Sequence, residues 1–272
     1  MPFNWNGQLE QSARENIHQD EPHQSVRSIR LRKLEISGKL KNVSVRLVES
    51  TEKIQAACDL INDRYAWRGY GSSHRIAEDA NHMTFTAEVE EEVVGTITLA
   101  VDSAQGLAAD RAFKDELDAF RDLPGVKLCE LTKFAFDPAV QSRELMAALF
   151  HIVFVYGHRT HGCTDLLIEV NPRHVRFYEA MLGFQRLGAV RTNEGVDAPA
   201  QLMWLKVAAI REQINCHAAT QDQPSSRSLY PFFFSPKDEA GIYDRLVRAP
   251  AQPVSAPPPN EPVFAERIRL AA

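Results

Sequence analysis

Two apolar, β-prone stretches separated by an apolar helical run constrain the fold more than any other feature of the chain. The stretches cover residues 126–137 and 164–170, and the helical run covers about 144–157. A short helical segment follows the second stretch and ends at Leu182-Gly183-Phe184. This order is typical of two parallel strands joined by a right-handed crossover helix. We therefore expect the functional polar residues at the carboxyl ends of these strands.

Two motifs in this region carry a family resemblance. The run Asn171-Pro-Arg-His-Val-Arg-Phe177-Tyr178-Glu-Ala-Met-Leu-Gly183-Phe184 resembles the last motif of GNAT-fold acyltransferases. The run Glu130-Leu-Thr132-Lys133-Phe134 resembles the Glu-x-Ser/Thr-Arg-Phe strand of acyl-homoserine-lactone synthases and of the related long-chain N-acyl amino acid synthases. The resemblance implies an α/β (α+β) GNAT fold with a mixed central sheet of about seven strands between helices. It also implies that strands four and five splay apart.

Changes in composition along the chain predict one domain with tails. The 272 residues, 44% of them hydrophobic, suffice for one full core plus appendages. Residues 1–42 are polar and lack sustained periodicity, which predicts a disordered extension or a loosely attached helix, and residues 43–207 match the acyltransferase domain. Residues 208–248 predict a helical and aromatic extension that contains Tyr230-Pro-Phe-Phe-Phe234. Residues 249–272 read as a proline-rich tail.

An insertion at residues 103–124 precedes the first of the two strands. Phe113, Leu117 and Phe120 recur in it at helical spacing, which predicts one helix. That helix either covers the sheet permanently or acts as a lid over the substrate, and the sequence leaves both interpretations open.

The overall charge and hydropathy exclude several classes of partner. The net charge is only −5 at pH 7, and no block of lysines and arginines stands out, so nucleic acid is not expected as a partner. The sequence has no apolar run long enough to span a membrane and no secretory leader pattern. We expect a soluble, cytoplasmic protein without stable membrane insertion.

The cysteines and histidines do not predict a metal centre. The four cysteines form no CxxC pair, and reduced thiols are expected in the cytoplasm. His158 and His161 lie near Cys163, but they fall at the end of the predicted helix, where a cationic histidine is favourable in any case. We expect no metal and no cofactor beyond the acyl-pantetheine thioester that serves as donor substrate.

Acyl transfer from a thioester to an amine needs a base, donors for the developing oxyanion and an acid for the leaving thiolate. Glu130 is the candidate base, because its position matches the family strand and burial would raise its pKa. Thr132 shares the face of Glu130, and Lys133 is expected on the other face. Tyr178 is the candidate acid, since its phenol is neutral near pH 7. A salt-bridged structural carboxylate and a core tyrosine remain the alternatives.

The parted strands predict the binding site for the pantetheine arm. Backbone groups left without a strand partner are free to bond the pantetheine amides. The resemblance implies an oxyanion-binding N–H near Phe134 or Ala135. Thr132 and Asn171 complete the predicted set of substrate-binding and pantetheine-binding residues on these strands.

The segment before the crossover helix departs from the family pattern. Enzymes of the superfamily that use acetyl-CoA carry Gln/Arg-x-x-Gly-x-Gly/Ala here, whereas this chain reads Gln141-Ser-Arg-Glu-Leu-Met146. Glu144 would repel a phosphate at the helix N-terminus, and Met146 fills space that a close backbone approach requires. We therefore expect a donor carried on an acyl carrier protein. Three arginines are predicted to meet the acidic surface of that carrier, although each also suits a solvated surface: Arg143, Arg173 and Arg176.

The acceptor is predicted from the arginines after the first helix. An amino acid presents a carboxylate that Arg64, Arg68 or Arg75 could bind in bidentate fashion. The same region lacks a convincing match to the arginine, phenylalanine and tryptophan pattern of acyl-homoserine-lactone synthases, which use S-adenosylmethionine. An amino acid acceptor is therefore favoured.

Together these features predict an N-acyltransferase that moves a long-chain fatty acyl group from an acyl carrier protein to the amine of an amino acid. Two enzymatic alternatives stay open: an autoinducer synthase of the acyl-homoserine-lactone type and a CoA-dependent N-acetyltransferase. A non-enzymatic acyl-binding or carrier-docking module is the third. The sequence specifies neither the amino acid nor the length of the acyl chain.

Overall fold

A mixed β-sheet with helices on both faces forms the centre of the fold. The computed structural model describes residues 27–77, 79–140, 142–220 and 227–247. The strands of the described residues are β1 Ser28–Arg30, β2 Leu34–Ile36, β3 Lys39–Lys41, β4 Val43–Leu47, β5 His82–Val89, β6 Glu92–Val101, β7 Leu128–Phe136, β8 Asp165–Val170, β9 Gln185–Asn193 and β10 Ala198–Lys206.

Six α-helices accompany the strands in the part of the chain that the structure describes. They are α1 Thr51–Ala66, α2 Asp110–Arg121, α3 Arg143–His161, α4 Val175–Leu182, α5 Val207–His217 and α6 Pro236–Val247. Short 3-10 turns cover Pro172–His174 and Tyr230–Phe232. Local sequence sets several ends: the Ser50 hydroxyl caps α1, and Gly183 ends α4 in the left-handed region at φ 82°.

The strand order places the predicted parallel pair inside the sheet. The order is β1-β4-β5-β6-β7-β8-β10-β9, with β2 and β3 in a separate hairpin. β7 and β8 are parallel and are joined by α3, whereas the other neighbours in the described sheet are antiparallel. The predicted α/β architecture with a parallel pair and a crossover helix is confirmed. The sheet has eight strands, one more than expected.

The additional strand corrects the prediction for the N-terminal region. Residues 28–41 were expected to belong to a disordered extension, but they form β1, β2 and β3. β1 pairs antiparallel with β4, and Ile29 is only 1% exposed because it packs into the main core. Each of these strands has only three residues, and an alternation of apolar and polar residues over three positions cannot be distinguished from a polar coil in the sequence. Residues 1–26 lie outside the described part, as do residues 248–272, which contain the expected proline-rich tail.

Helix α3 fills one face of the sheet. Residues 147–157 of this helix are all buried, and a helix that is hydrophobic on every side belongs in a core. Its N-cap is Ser142, and the left-handed Gly162 ends it. The chain then turns directly into β8, so the length of α3 determines where β8 begins beside β7.

The C-terminal helical and aromatic segment packs into the same core as α3. Tyr230, Phe233 and Ile242 are each at most 3% exposed and pack into the hydrophobic cluster of α3. A buried polar contact ties the same elements together, because His151 of α3 lies 3.0 Å from a carboxylate oxygen of Glu239 on α6. This segment therefore helps to shape the α3 face of the sheet.

Helix α2 forms a fixed cover over the opposite face. Phe113 and Leu117 are fully buried, and the Arg121 guanidinium binds the carboxylates of Asp102 and Asp110 at 2.6–2.8 Å. These contacts favour the interpretation as a covering helix over the interpretation as a lid. Among the described residues, no helix combines the length and the apolar character needed to cross a membrane.

Candidate functional site

The parallel strands β7 and β8 separate before they end. Their register begins at Leu128 opposite Asp165 and stops at Leu131 opposite Ile168. β7 continues to Phe136, yet no further pair joins it to β8 within the described sheet. The splayed strands predicted from the sequence are confirmed. Backbone groups beyond this fork are therefore available to a ligand.

A β-bulge reshapes β7 just beyond the fork. Lys133 has a positive φ of 52°, and the register with β6 shifts between Thr96 and Thr98. The Thr96 hydroxyl donates a hydrogen bond to the Lys133 carbonyl at 2.8 Å and so holds the bulge. Burial lowers the pKa of Lys133, with the Cys58 thiol of α1 close enough to oppose this effect. The expectation that Lys133 faces away from Glu130 is wrong, because both residues line the same cleft at the fork.

A cleft of about 440 Å³ opens at the fork and collects most of the predicted site. Six of the predicted residues line it: Arg68, Glu130, Thr132, Phe134, Asn171 and Tyr178. Ala135 does not line the cleft, because its side chain is buried against Ala57 and Ile61 of α1. Arg64 does not line it either.

Glu130 is the most strongly perturbed carboxyl group of the cleft. It is 2% exposed, and its Oε2 accepts a hydrogen bond from the backbone N–H of Ala109 at 3.2 Å. Burial raises the pKa of Glu130 to about 8, the negative charge of Glu169 adds to the rise, and the Ala109 hydrogen bond opposes it. The alternative of a carboxylate held by a structural cation does not apply, since the Glu130 carboxyl group accepts its hydrogen bond from a backbone amide.

A second carboxyl group, Glu169 on β8, faces the same cleft. Burial raises the pKa of Glu169, while a hydrogen bond from the Asn193 side chain and the charge of Arg111 lower it. Neither Glu169 nor Asn193 was predicted from the sequence. Glu169 lies two residues before Asn171, so the alternation of the strand could have suggested a shared face, but Asn193 comes from β9 and no local pattern indicates it.

Tyr178 lines the same cleft as these carboxyl groups, among other aromatic side chains. It lines the cleft with Tyr65 and Tyr70, and its ring contacts Phe184 edge to face. Burial raises the pKa of Tyr178, and it raises the pKa of Tyr65 to about 12. Both phenols are therefore neutral hydrogen-bond donors near pH 7.

Asn171 ends β8 at the edge of the cleft. Its side-chain oxygen accepts a hydrogen bond from the backbone N–H of Arg173 at 3.2 Å and caps the 3-10 turn. This is a structural role that any strand-to-helix boundary can use. Its position in the cleft is nevertheless as predicted.

The arginines after α1 have different surroundings. Arg68 lines the cleft, and its charge acts on Tyr178. The Arg64 guanidinium instead stacks over the Trp67 ring, 5.4 Å from its centroid. Arg75 is exposed outside the cleft. Only Arg68 of these three arginines can therefore reach a ligand in the cleft.

The three arginines predicted for carrier docking do not form one surface. Arg173 and Arg176 are exposed where the chain leaves β8, and Arg173 donates a hydrogen bond to the Tyr70 hydroxyl at 3.0 Å. Arg143 donates a hydrogen bond to the Ser228 carbonyl at 2.7 Å and stacks on the Phe232 ring. The prediction for Arg143 is corrected, because these contacts tie it to the C-terminal segment.

The N-terminus of α3 offers a poor cradle for phosphate. The Ser142 hydroxyl accepts a hydrogen bond from the Leu145 N–H at 3.1 Å and so occupies one of the free amides. Glu144 lies in the first turn and pairs with Arg32 at 3.3 Å. Met146 is half-buried against the core. Gln141, the one position that matches the phosphate-binding pattern, lies outside the described residues.

The described residues contain no cluster of three histidine, cysteine or acidic side chains that could hold a metal ion. All four cysteines carry free thiols. His158 stacks on Phe154 within α3, 5.9 Å between ring centroids.

Comparison with known proteins identifies relatives of this arrangement. The family model of the N-acyl amino acid synthase FeeM matches residues 56–206. The solved structure of FeeM, an N-acyl amino acid synthase from uncultured soil microbes, is 34% identical with a TM-score of 0.57, and the match covers 63% of this chain and 94% of that chain. No curated protein matches the sequence significantly.

Two further solved structures are more distant. The AHL synthase LasI is 12% identical with a TM-score of 0.46, and the match covers 61% of this chain and 91% of that chain. An N-acetyltransferase from Staphylococcus aureus Mu50 is 11% identical with a TM-score of 0.41, covering 61% of this chain and 98% of that chain. The FeeM family model spans more than half of the sequence. The chain therefore belongs to the FeeM family of N-acyl amino acid synthases, and it is an acyltransferase with the GNAT fold.

Proposed function

We propose that the protein transfers a long-chain fatty acyl group from an acyl carrier protein thioester to the amine of an amino acid. The observation that carries this proposal is the buried Glu130 carboxyl group, with a pKa of about 8, in the cleft where β7 and β8 separate. Because the family consists of acyltransferases, a non-enzymatic module is no longer needed to explain the sequence.

Two protein side chains account for the proton transfers of the reaction. The amine nitrogen attacks the thioester carbonyl, a C–N bond forms, and the C–S bond breaks. Glu130 accepts the first proton, which the ammonium group must lose before it attacks. Tyr178 donates a proton to the leaving thiolate, and the second proton lost by the nitrogen restores the phenol, so the products are the amide, the thiol and one proton on Glu130. A base with a pKa near the working pH is the most effective general base, which suits the raised pKa of Glu130.

The two carboxyl groups also favour the acceptor electrostatically. Glu130 and Glu169 both line the cleft, so each of them attracts an ammonium group once it is ionised. The nearby charge of Glu169 raises the pKa of Glu130 and thereby strengthens it as a base. This arrangement is more specific for a cationic amine than a single carboxylate would be.

The β-bulge offers a donor for the oxyanion. Lys133 and Phe134 together face a single β6 residue, because Thr132 pairs with Thr98 and Ala135 pairs with Thr96. A bulge leaves one backbone group without its ladder partner. The Phe134 N–H is the candidate donor at the cleft, whereas the buried Ala135 is a less suitable one.

The donor proposal depends on the start of α3. A CoA thioester must place two phosphates of its diphosphate near this helix N-terminus, where Glu144 stands and Ser142 already binds an amide. A carrier protein presents one phosphate at the mouth of the channel. Glu144 and the occupied amide therefore disfavour its binding less than they disfavour the binding of CoA. Arg173 and Arg176 lie exposed beside the cleft and suit an acidic partner.

The acceptor proposal depends on Arg68. It lines the cleft together with Tyr65 and Tyr178, and its guanidinium matches the planar carboxylate of an amino acid. An acceptor held by its carboxylate at Arg68 presents its amine towards the carboxyl groups of β7 and β8. A simple amine without a carboxylate would leave Arg68 unused. S-adenosylmethionine carries the same pair of carboxylate and ammonium groups, so the identity of the product distinguishes it from a free amino acid.

Mass spectrometry of lipid extracts tests this proposal in a living cell. Cells that express the protein should accumulate an acylated amino acid that cells expressing Glu130→Gln lack. The mass and fragmentation of that compound identify the chain length and the acceptor together. An acyl-homoserine lactone, an acetylated amine or an unchanged lipid profile would each overturn the proposed function.

A further inference from the structure

Lys133 lines the cleft at the fork, yet it takes no part in the proposed reaction. Its side chain is half-buried, and no carboxylate of the described residues forms an ion pair with it. A shielded ammonium group without a counter-ion is energetically unfavourable. Burial accordingly lowers the pKa of Lys133, which raises the fraction of neutral amine at a given pH.

The β-bulge brings this amine next to the candidate oxyanion donor. Lys133 immediately precedes Phe134, and both residues line the cleft. A thioester whose carbonyl oxygen accepts a hydrogen bond from the Phe134 N–H therefore presents its carbonyl carbon within the reach of a lysine side chain. The flexible four-carbon stem of lysine lets the amine search that space. A nucleophile attacks a carbonyl carbon from about 3–3.5 Å.

Two other lysines of the described residues have different surroundings. Lys53 of α1 is also half-buried, but its ammonium group forms an ion pair with Glu88 at 3.2 Å. An ammonium group held in an ion pair has no free electron pair with which to attack. Lys39 is exposed on the β2–β3 hairpin. Neither of these two lysines lines the cleft, so the reactive environment belongs to Lys133 rather than to both of them.

We propose that Lys133 is a site of self-acylation, whose amine attacks the bound thioester when no amino acid is present. This inference depends on the proposed function, because it needs an acyl thioester in the cleft. The side-chain nitrogen of Lys133 forms a C–N bond with the carbonyl carbon, and the C–S bond breaks. The proton that the nitrogen loses ends on the released thiolate. The products are therefore an acylated lysine and the thiol, and no further reactant is needed.

Acylation of Lys133 has a consequence for synthesis. The lysine amide is far less reactive than the thioester, so the acyl group stays on the protein. Its chain then occupies the cleft that the next donor and acceptor must enter. A bound amino acid protects the protein, because its own amine takes the acyl group. The enzyme should therefore inactivate itself when the donor is abundant and the amino acid is scarce.

Mass spectrometry of the protein itself tests the proposal. Purified protein is incubated with a long-chain acyl carrier protein thioester and without amino acid. We expect each chain to gain one acyl group, which peptide mapping places on Lys133. The modified fraction should equal the fraction of amide synthesis that is lost when the amino acid is added afterwards. A saturating amino acid during the incubation should prevent both changes.

Two kinds of control accompany this measurement. Lys53 and Lys39 are read in the same digest, and each should carry at least about tenfold less acyl group than Lys133. Lys133→Arg keeps the positive charge and introduces the residue of the family strand that residues 130–134 resemble. This variant should gain no acyl group. Preincubation with the donor should leave its amide synthesis at the level that the same variant shows without preincubation.

The outcomes separate this proposal from the proposed function. If active wild-type protein kept Lys133 unmodified, the self-acylation site alone would be overturned. An acyl group spread equally over the three lysines would have the same meaning, as would one that neutral hydroxylamine removes, because hydroxylamine cleaves a thioester on Cys58 but not a lysine amide. Acylated Lys133 without any N-acyl amino acid would support the site and contradict the proposed acceptor. Protein that acylates neither itself nor an amino acid would overturn both proposals.

Discussion

The Glu130 carboxylate of β7 accepts a hydrogen bond from the Ala109 backbone N–H at the start of α2, 3.2 Å away. This contact lets one side chain serve two purposes. It anchors the covering helix to the sheet, and it orients the carboxyl group beside the cleft. Burial raises the pKa of Glu130 more than this single hydrogen bond lowers it, so the group is ready to exchange a proton near neutral pH.

Glu130→Gln should abolish turnover while leaving binding intact. The amide oxygen of glutamine can still accept the Ala109 hydrogen bond, but it cannot take up the proton of the ammonium group. We expect a loss of about 10²–10⁴-fold in kcat with a nearly unchanged Kd for the amino acid. Steady-state kinetics and calorimetric titration measure the two quantities. Full activity of this variant would remove Glu130 from the proposed chemistry.

The same substitution should change how stability depends on pH. The pKa of Glu130 rises from an ordinary 4.5 to about 8 in the folded protein. Between these values the unfolded chain releases the proton and the folded one keeps it. Stability therefore falls as pH rises through this window, by about 1.4 kcal/mol per pH unit for one proton.

Urea unfolding at several pH values measures this effect. The difference in unfolding free energy between Glu130→Gln and the wild type should grow in favour of the variant from about pH 5 to about pH 8. Two parallel stability curves over this range would show that the carboxyl group has an ordinary pKa.

Glu169→Gln should shift the pH dependence of catalysis. The negative charge of Glu169 raises the pKa of Glu130, so its removal lowers that pKa. The rising limb of the rate profile, expected near pH 8 in the wild type, should move to lower pH. Rate measurements with one donor across the pH range check this. If the rising limb of the variant's rate profile lay at the same pH as that of the wild type, the two carboxyl groups would not interact.

The prediction of the site from sequence worked where a local pattern fixes the geometry. Glu130 and Thr132 share a face because strand residues alternate, and the strand, helix, strand order brings Asn171 to the same edge. The bulge at Lys133 escaped prediction, because it depends on a hydrogen bond from Thr96 on another strand. No property of the sequence around Lys133 indicates its positive φ.

Other errors arose from partners that are distant in sequence. Arg143 lies at the start of α3 as expected, but it binds the carbonyl of Ser228, which follows 85 positions later in the sequence. The Asn193 contact with Glu169 likewise joins β9 to β8. The covering role of α2 could be predicted in part, since Phe113 and Leu117 already showed an apolar face. Its anchoring by Glu130 could not.

Reversing the charge at the mouth of the cleft should weaken carrier binding selectively. Arg173→Glu and Arg176→Glu replace exposed cations where β8 ends, so an acidic carrier is repelled. We expect KM for the acyl carrier protein to rise about tenfold at low salt and less at high salt. KM for a small acyl-pantetheine donor should stay constant.

Lys39→Glu is the matched control for these variants, because Lys39 is exposed on the separate β2–β3 hairpin. It carries the same charge change and should leave KM for the carrier unaffected. An equal rise in all three variants would indicate a general effect of net charge rather than a docking surface.

Glu239→Gln should destabilise the C-terminal segment. Burial alone would raise the pKa of Glu239, but hydrogen bonds from His151 and Arg211 lower it to about 2. The ionised group therefore contributes stability above about pH 4.5, and this contribution disappears as pH falls towards 2. We expect the variant to lose about 3 kcal/mol at neutral pH.

Thermal or urea unfolding measures that loss, and the exposed Glu212 of α5 provides a control in Glu212→Gln. The control should match the wild type within about 0.5 kcal/mol. If both variants behaved alike, the buried pair of His151 and Glu239 would not be what fixes α6 to α3.

Turnover by the purified protein tests the central claim most directly. Acyl carrier protein and CoA thioesters of the same fatty acid are compared at equal concentration with a mixture of amino acids, and the released thiol and the amide product are both quantified. We expect amide and thiol in equal amounts, with the carrier thioester used faster. Equal or faster use of the CoA thioester would contradict the assignment of the donor, and thiol release without an N-acyl amino acid would contradict the proposed reaction.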